Sequence, residues 1–352
     1  MRLEVIGRLE ENDVLGKNIY TDDGRILLKA GTRISEGYVD RIRDLGVLYV
    51  YVEDDRLDDI DTEDPELDRL KQIIMRNMHT MFNGLRNKSR EEIKAGTRAV
   101  EELSEYIINM RDINESLFEI QTYNNQLYMH SLSTCIMATY LGDRMKIGRA
   151  NVMELSLAAI LHDIGKIKLP MAIQSKKGSL TAVEYEEYKK HPIYGEQILS
   201  QTISIPERVL KAVLQHHERV DGKGFPNAIP PHKITSFARI IAVCDAYDSY
   251  RNGRGAKQGA GPREAYEMIL AGSGSEYDEN IVHSFRENFS AYPLGSCLKL
   301  SNGIEGYVVR QNKNFPDRPV LRVLYHSETR EPIHIYEIDL MEQPNVVITG
   351  MA

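Results

Sequence analysis

Histidines at helix ends constrain this chain more than any other feature. Between residues 119 and about 290 the apolar residues recur at helical spacing, and the histidines fall where those helices stop. LYMHSLSTCIMATYL carries His130 on one face with Thr134, Met137 and Leu141. ELSLAAILHDIGKIKLP brings Leu155, Ala158 and Ala159 round to His162; Asp163 follows directly, then Gly165 and Lys166. LTAVEYEEYKKHPIYGEQIL opens on Thr181 with Glu184 three residues on, a capping pair, and sets His191 before Pro192. LKAVLQHHERVDGKGFP places His216 and His217 side by side, then turns at once through Asp221-Gly222-Lys223-Gly224. FARIIAVCDAYDSYRNGRGAK puts Asp245 and Asp248 on one helical face after the apolar run Ile240 to Val243.

Taken singly, these residues decide little. A histidine on an apolar helix face is more often a satisfied core residue than a ligand. Adjacent imidazoles in a last turn also suit the helix C-terminus. Asp163 is harder to explain, because a buried carboxylate needs a cation or a metal. The sum says more: five of the ten histidines and two aspartates sit at the inner ends of successive helices. A helical bundle can gather such residues in its core, where metal sites are commonly built. Imidazole and carboxylate without thiolate suit iron, manganese or zinc. One bridging carboxylate, with ligands enough for two ions, points to a binuclear centre. Ions roughly 3.5–4 Å apart are a recurrent device for phosphoester hydrolysis.

The rest of the chain frames this core. With 352 residues, 42% of them hydrophobic and 27% charged, the composition is that of a globular protein of about two domains. A net charge of −8 argues against a general nucleic-acid-binding surface. Cys135, Cys244 and Cys297 lie among apolar neighbours without CxxC spacing, as small core residues of a reduced compartment. MRLEVIGRLEEN lacks an apolar signal core, and no apolar run is long enough to span a membrane, so a cytoplasmic location is expected.

The expected fold class is mainly α, a helical bundle with small β-rich units at both ends. Residues 1–58 form the first β-rich unit, with a hairpin at Asp22-Asp23-Gly24, a short helix EGYVDRIRDLG and a strand VLYVYVE. Residues 59–118 are an acidic linker and a helical segment. Stripes through Ile73, Met81 and Leu85 and through Leu103, Ile107 and Met110 offer packing or homodimer faces. Residues 119–290 carry the helices described above. Residues 291–352 return to short strands: YPLGSCLKLSNGIEGYVVRQ, RPVLRVLYH and IHIYEIDL.

In chain order the pattern is His130, HDIGK, His191-Pro192, HHERVDGKGFP and Asp245. That order resembles the HD-GYP family, a branch of the HD-domain phosphohydrolases that degrade cyclic di-GMP. The resemblance covers about residues 119 to 290 and extends into the β-rich C-terminal unit. It implies that His130, His162, Asp163 and Asp245 hold one metal, and that Asp163 bridges to a second held by His191, His216 and His217. Iron is the first expectation and manganese the second. The implied reaction is attack of a metal-bridging hydroxide on phosphorus, opening cyclic di-GMP to pGpG and, after a second cut, to GMP. By the same resemblance Asp163 and Lys166 serve catalysis. Arg254 and Lys257 would contact substrate phosphates, with Asp221, Gly222, Gly224, Phe225 and Asp248 also lining the substrate site. The loop Asp221 to Pro226 is also a candidate docking place for a partner protein.

The chain departs from the family pattern at three places. Phe225 stands where the family name has tyrosine. Gln126 stands where some members carry a glutamate for a third metal, so two metals are expected. SYRNGRGAKQGAGP, with Tyr250, extra glycines and Lys257, implies a looser substrate loop. The sequence is also compatible with two other readings: a module that senses cyclic di-GMP with little or no turnover, and an HD phosphohydrolase for another nucleotide.

Overall fold

The structure, a computed structural model, describes residues 1–20, 26–44, 47, 49–60, 64–110, 126–176, 178–202, 205–252, 259–312, 315–326, 329 and 331–351. It divides into two compact units. The first is built from Met1–Pro65 together with Arg286–Ala352, the second from Glu66–Arg111 and Leu127–Phe285.

In the first unit β1 (Arg2–Val5) precedes the hairpin strands β2 (Ile19–Tyr20) and β3 (Ile26–Leu28). Then follow α1 (Glu36–Asp44) and β4 (Tyr49–Val52), which pairs antiparallel with β1 from Arg2↔Val52 to Val5↔Tyr49. The Asp22-Asp23-Gly24 turn itself lies outside the described residues. Ile6, Leu15, Ile19, Ile34, Ile42, Val50 and Val52 make the core of this part.

The C-terminal part of the same unit is an antiparallel sheet of five strands. These are β5 (Cys297–Leu300), β6 (Ile304–Arg310), β7 (Val320–His326), β8 (Pro332–Asp339) and β9 (Ile348–Met351), in spatial order β8-β7-β6-β5-β9. The sequence marks the first four; β9, ITGM, carries a glycine and no clear alternation, so only its pairing with β5 defines it.

The sequence treats the two β-rich ends as separate units, whereas here they share one. Leu3 bridges Ser296, and the Leu3 N–H donates to the Gly295 carbonyl at 2.8 Å. Arg322 reaches Asp59 at 2.6 Å, and Arg56 reaches the Tyr325 hydroxyl at 2.5 Å. These pairings join residues more than 260 positions apart, a range at which local sequence patterns carry no signal.

The second unit is helical. α2 (Pro65–Asn87) and α3 (Arg90–Asn109) come first, followed by α4 (Gln126–Arg144) and α5 (Arg149–Leu161). Next are the short α6 (Met171–Gln174) and α7 (Ala182–Tyr188), then α8 (His191–Ser200) and α9 (Glu207–Gln215). α10 (Ser236–Asn252), α11 (Pro262–Ala271) and α12 (Glu279–Asn288) complete the chain order. The buried stripe of α2 runs through Leu67, Leu70, Ile74, Met78, Met81 and Leu85, so it passes through Ile74 and not through the half-buried Ile73. Leu103 and Ile107 of α3 are likewise buried within the chain.

α5 is buried all round from Leu155 to Leu161, as a central helix must be. It packs on α3, α9 and α10. The HDIGK turn packs on α8, and Gly165 makes that approach possible: a Cβ there would collide with the His191 carbonyl and the Gly195 amide. The three cysteines are buried, and burial raises the Cys135 thiol to about 12. Among the described residues no helix is long and apolar enough to cross a membrane.

Candidate metal centre

The end of a helix leaves its last carbonyls without backbone partners. Three histidines use them in the same way. His162, at the C-terminus of α5, donates from Nδ1 to the Ala159 carbonyl at 2.7 Å. His191, just past α7, donates from Nδ1 to Tyr188 at 2.8 Å, and His216, at the end of α9, to Val213 at 2.7 Å. Each acceptor lies three residues before its histidine. A carbonyl can only accept, so each neutral ring carries its proton on Nδ1 and presents a bare Nε2. His130, on α4, has its Nδ1 fixed by the Asp248 carboxylate at 2.7 Å.

The Nε2 atoms of these four rings converge. His130 and His162 face each other Nε2 to Nε2 at 3.3 Å, and so do His191 and His216. Two lone pairs at that separation repel unless a cation lies between them. The spacing suits two ligands of one ion, since metal–nitrogen bonds of about 2.0–2.1 Å place neighbouring donors roughly 3.0–3.4 Å apart.

Asp163 stands between the pairs, fully buried. Its Oδ1 lies 3.2 Å from His191 and 3.8 Å from His216; its Oδ2 lies 3.3 Å from His162 and 3.7 Å from His130. One carboxylate thus offers one oxygen to each histidine pair. Asp245, on α10, reaches His130 at 2.8 Å on one side. His217 completes the other group, and its Nε2 has no hydrogen-bond partner among the described residues. Asp163, His191, His216 and His217 form one group able to hold a metal ion, and His130, His162 and Asp245 form a second.

The electrostatics match a cation site. Burial pushes the Asp163 carboxyl up, but Lys166 and the His162 and His191 contacts outweigh it and hold the group well below the usual carboxylate range. Burial, then the neighbouring imidazoles, holds His216 and His217 well below the usual histidine range. Burial also lowers His191 despite Asp163. Asp163 is therefore ionised while burial keeps His191, His216 and His217 neutral, the protonation states that bind metal.

Residues 112–281 match the family model described as an HD domain, and residues 297–351 match a KOW domain associated with the HD domain. A cyclic di-GMP phosphodiesterase of Pseudomonas aeruginosa is 30% identical over 261 residues, covering 74% of this chain and 63% of that protein. A cyclic di-GMP phosphodiesterase of Thermotoga maritima is 31% identical over 229 residues, covering 62% of this chain and 61% of that protein. The chain therefore spans about three fifths of the length of these relatives. An HDGYP protein from Bdellovibrio bacteriovorus has the same fold, with a TM-score of 0.54 at 17% identity over 80% of this chain and 97% of that one.

Residues 112–281 form an HD domain, as the HD-GYP resemblance implies.

The other residues marked by the HD-GYP resemblance divide into three groups. Lys166 pairs with Asp163 at the centre itself, its ammonium 5.4 Å from the Tyr188 ring centroid. Asp248 faces inward: its carboxylate is taken by His130 and, at 3.1 Å, by Arg251, and the residue is 1% exposed. Its carboxylate thus fixes the His130 ring. In the GYP-like loop, Asp221 accepts from Arg219 at 2.7 Å and from the Lys223 N–H at 3.0 Å, holding its own turn. Gly222 has a φ of +73°, and a Cβ at Gly224 would collide with the backbone of His217, Glu218 and Arg219. Phe225 packs its ring on His217, with centroids 4.5 Å apart. Arg254 and Lys257 lie outside the described residues, as does most of the altered loop; Tyr250, before it, places its hydroxyl 3.2 Å from that of Tyr277.

Sequence reasoning gave no role to Glu218, Arg251 or the carbonyls of Ala159, Tyr188 and Val213. The signal for the carbonyls was present, since a histidine one turn past a helical carbonyl can reach it. For Glu218 and Arg251 the partners are set by tertiary contacts.

Proposed function

We propose that this chain is a metal-dependent phosphodiesterase that hydrolyses cyclic di-GMP at a two-ion centre. The observation that carries the reading is the split carboxylate of Asp163, one oxygen toward His191 and the other toward His162. The names of the relatives supply the substrate class.

His130, His162, Asp163 and Asp245 would hold one ion, and Asp163, His191, His216 and His217 the other. Divalent ions held there supply an acidified water and neutralise charge on the phosphoryl oxygens. Iron or manganese suits this donor set, which has no thiolate. The protein's own part is orientation. The three helix-end carbonyls and Asp248 fix four imidazoles so that little rearranges as charge develops. Lys166 brings its ammonium to the edge of the same centre, where it can follow negative charge onto a phosphoryl oxygen. In the net reaction water adds across one P–O3′ bond: hydroxyl to phosphorus, proton to the ribose oxygen. The product is linear pGpG, and a second addition gives GMP.

The test is incubation of the full chain, loaded anaerobically with ferrous iron or with manganese, with cyclic di-GMP, and separation of the products. Formation of pGpG or GMP that stops on chelation supports the proposal. Tight binding without products would identify a sensor, and cleavage of other nucleotides alone would identify a different phosphohydrolase.

A further inference from the structure

His217 differs from the other four histidines. Neither of its ring nitrogens is anchored by a carbonyl or a carboxylate: Nδ1 stands 3.6 Å from Asp245, beyond hydrogen-bond length, and Nε2 has no hydrogen-bond partner among the described residues. Its ring is held by packing. The His216 ring lies 4.1 Å away at 43°, the His191 ring 5.0 Å away edge-on, and the Phe225 ring 4.5 Å away at 32°.

Phe225 is itself held from below. Its N–H donates to the His217 carbonyl at 3.1 Å. The next residues are fastened by Glu218, which is 3% exposed and accepts from the N–H of Asn227 at 2.8 Å and of Ile229 at 3.2 Å. A buried carboxylate satisfied by two amides of one loop is a strong local tie. Gly224 lets the loop close onto the backbone of the HHE turn.

We infer that Glu218 and Phe225 are positioning residues for a metal ligand: Glu218 latches the GYP-like loop, and the Phe225 ring fixes the His217 imidazole toward the group formed with Asp163, His191 and His216. The inference rests on the two-ion reading above. It gives the loop aromatic a task independent of substrate. That task needs a ring and not a hydroxyl, so phenylalanine in place of tyrosine leaves it intact. Supports of metal ligands typically carry 10–100-fold in metal affinity.

The experiment is titration of the metal-free full chain with Mn2+, following stoichiometry by equilibrium dialysis and spin coupling between the two ions by electron paramagnetic resonance. The wild-type chain should take up two coupled ions. Phe225→Ala and Glu218→Gln should weaken one ion by about 10–100-fold, leave the other nearly unchanged, and give the spectrum of an isolated ion. Phe225→Leu should move the same way, and Phe225→Tyr should match wild type. Lys223→Ala, on the exposed side of the same loop, should bind both ions normally. Thermal unfolding of each metal-free variant separates ligand misplacement from unfolding. Wild-type affinities for both ions in Phe225→Ala and Glu218→Gln would overturn the inference, as would equal loss of both ions in folded variants. A wild-type chain that takes up no Mn2+ would overturn the two-ion reading itself, which a failure confined to the loop variants would leave standing.

Discussion

The Nδ1–H of His130 donates to the carboxylate of Asp248 across 2.7 Å, and Arg251 holds the other oxygen of that carboxylate at 3.1 Å. On the proposed two-ion reading this relationship makes Asp248 a support of a metal ligand. Asp248→Asn should weaken metal binding by about 10–100-fold, because the amide cannot offer two anionic oxygens to an imidazole and a guanidinium. Metal titration of the variant checks this. A substrate contact at Asp248 would instead raise KM with metal affinity unchanged.

Lys166 pairs with Asp163, the proposed bridging ligand, in the metal-free protein. Lys166→Met should therefore keep both ions, or hold them more tightly, while kcat falls by roughly 10²–10³ through loss of charge stabilisation. Parallel measurement of metal content and kcat separates the two effects. Loss of both metals in a folded Lys166→Met chain would contradict the assignment.

The metal-free protein should lose stability on acidification. His216 and His217 are held well below the usual histidine range, and His191 below it, so the folded state refuses protons that the unfolded chain takes up near pH 6.5. Stability from these groups is complete above that pH and declines as pH falls. The slope is up to about 1.4 kcal/mol per pH unit for each imidazole. Urea midpoints of the chelator-treated chain between about pH 8 and 5 measure it. A flat profile would show that the imidazoles are not kept neutral by the fold.

Gly165→Ala tests the packing that brings the HDIGK turn onto His191. The added methyl meets backbone, which cannot move aside as a side chain can. The expected cost is about 1–3 kcal/mol or more, read as a lowered thermal midpoint, with weaker metal binding because Asp163 and His191 separate. An unchanged midpoint would mean that the HDIGK turn and the start of α8 do not touch at Gly165.

Much of the site was legible in the sequence because its chemistry is local. His162, His191 and His216 each stand three residues after a carbonyl at a helix end, so helical periodicity marked their positions, while their grouping as ligands came from the HD-GYP resemblance. Asp248 was visible as the partner of Asp245 on one helical face, but the partner it faces depends on how α10 packs against α4, and sequence spacing does not record that. Glu218 was visible only as a carboxylate beside two histidines; its acceptors' partners, Asn227 and Ile229, lie across a turn whose path depends on the close approach at Gly224. The joining of the two β-rich ends rests on pairings such as Leu3 with Ser296, which no local pattern announces.

The most direct measurement is the metal content of the wild-type chain and of Asp163→Asn, taken together with cyclic di-GMP turnover. The wild-type chain should hold two divalent ions and convert cyclic di-GMP to pGpG or GMP. Asp163→Asn, which removes the charge shared by both groups, should lose metal and turnover together. A folded Asp163→Asn chain that retains two ions and hydrolyses cyclic di-GMP at the wild-type rate would contradict the two-ion reading.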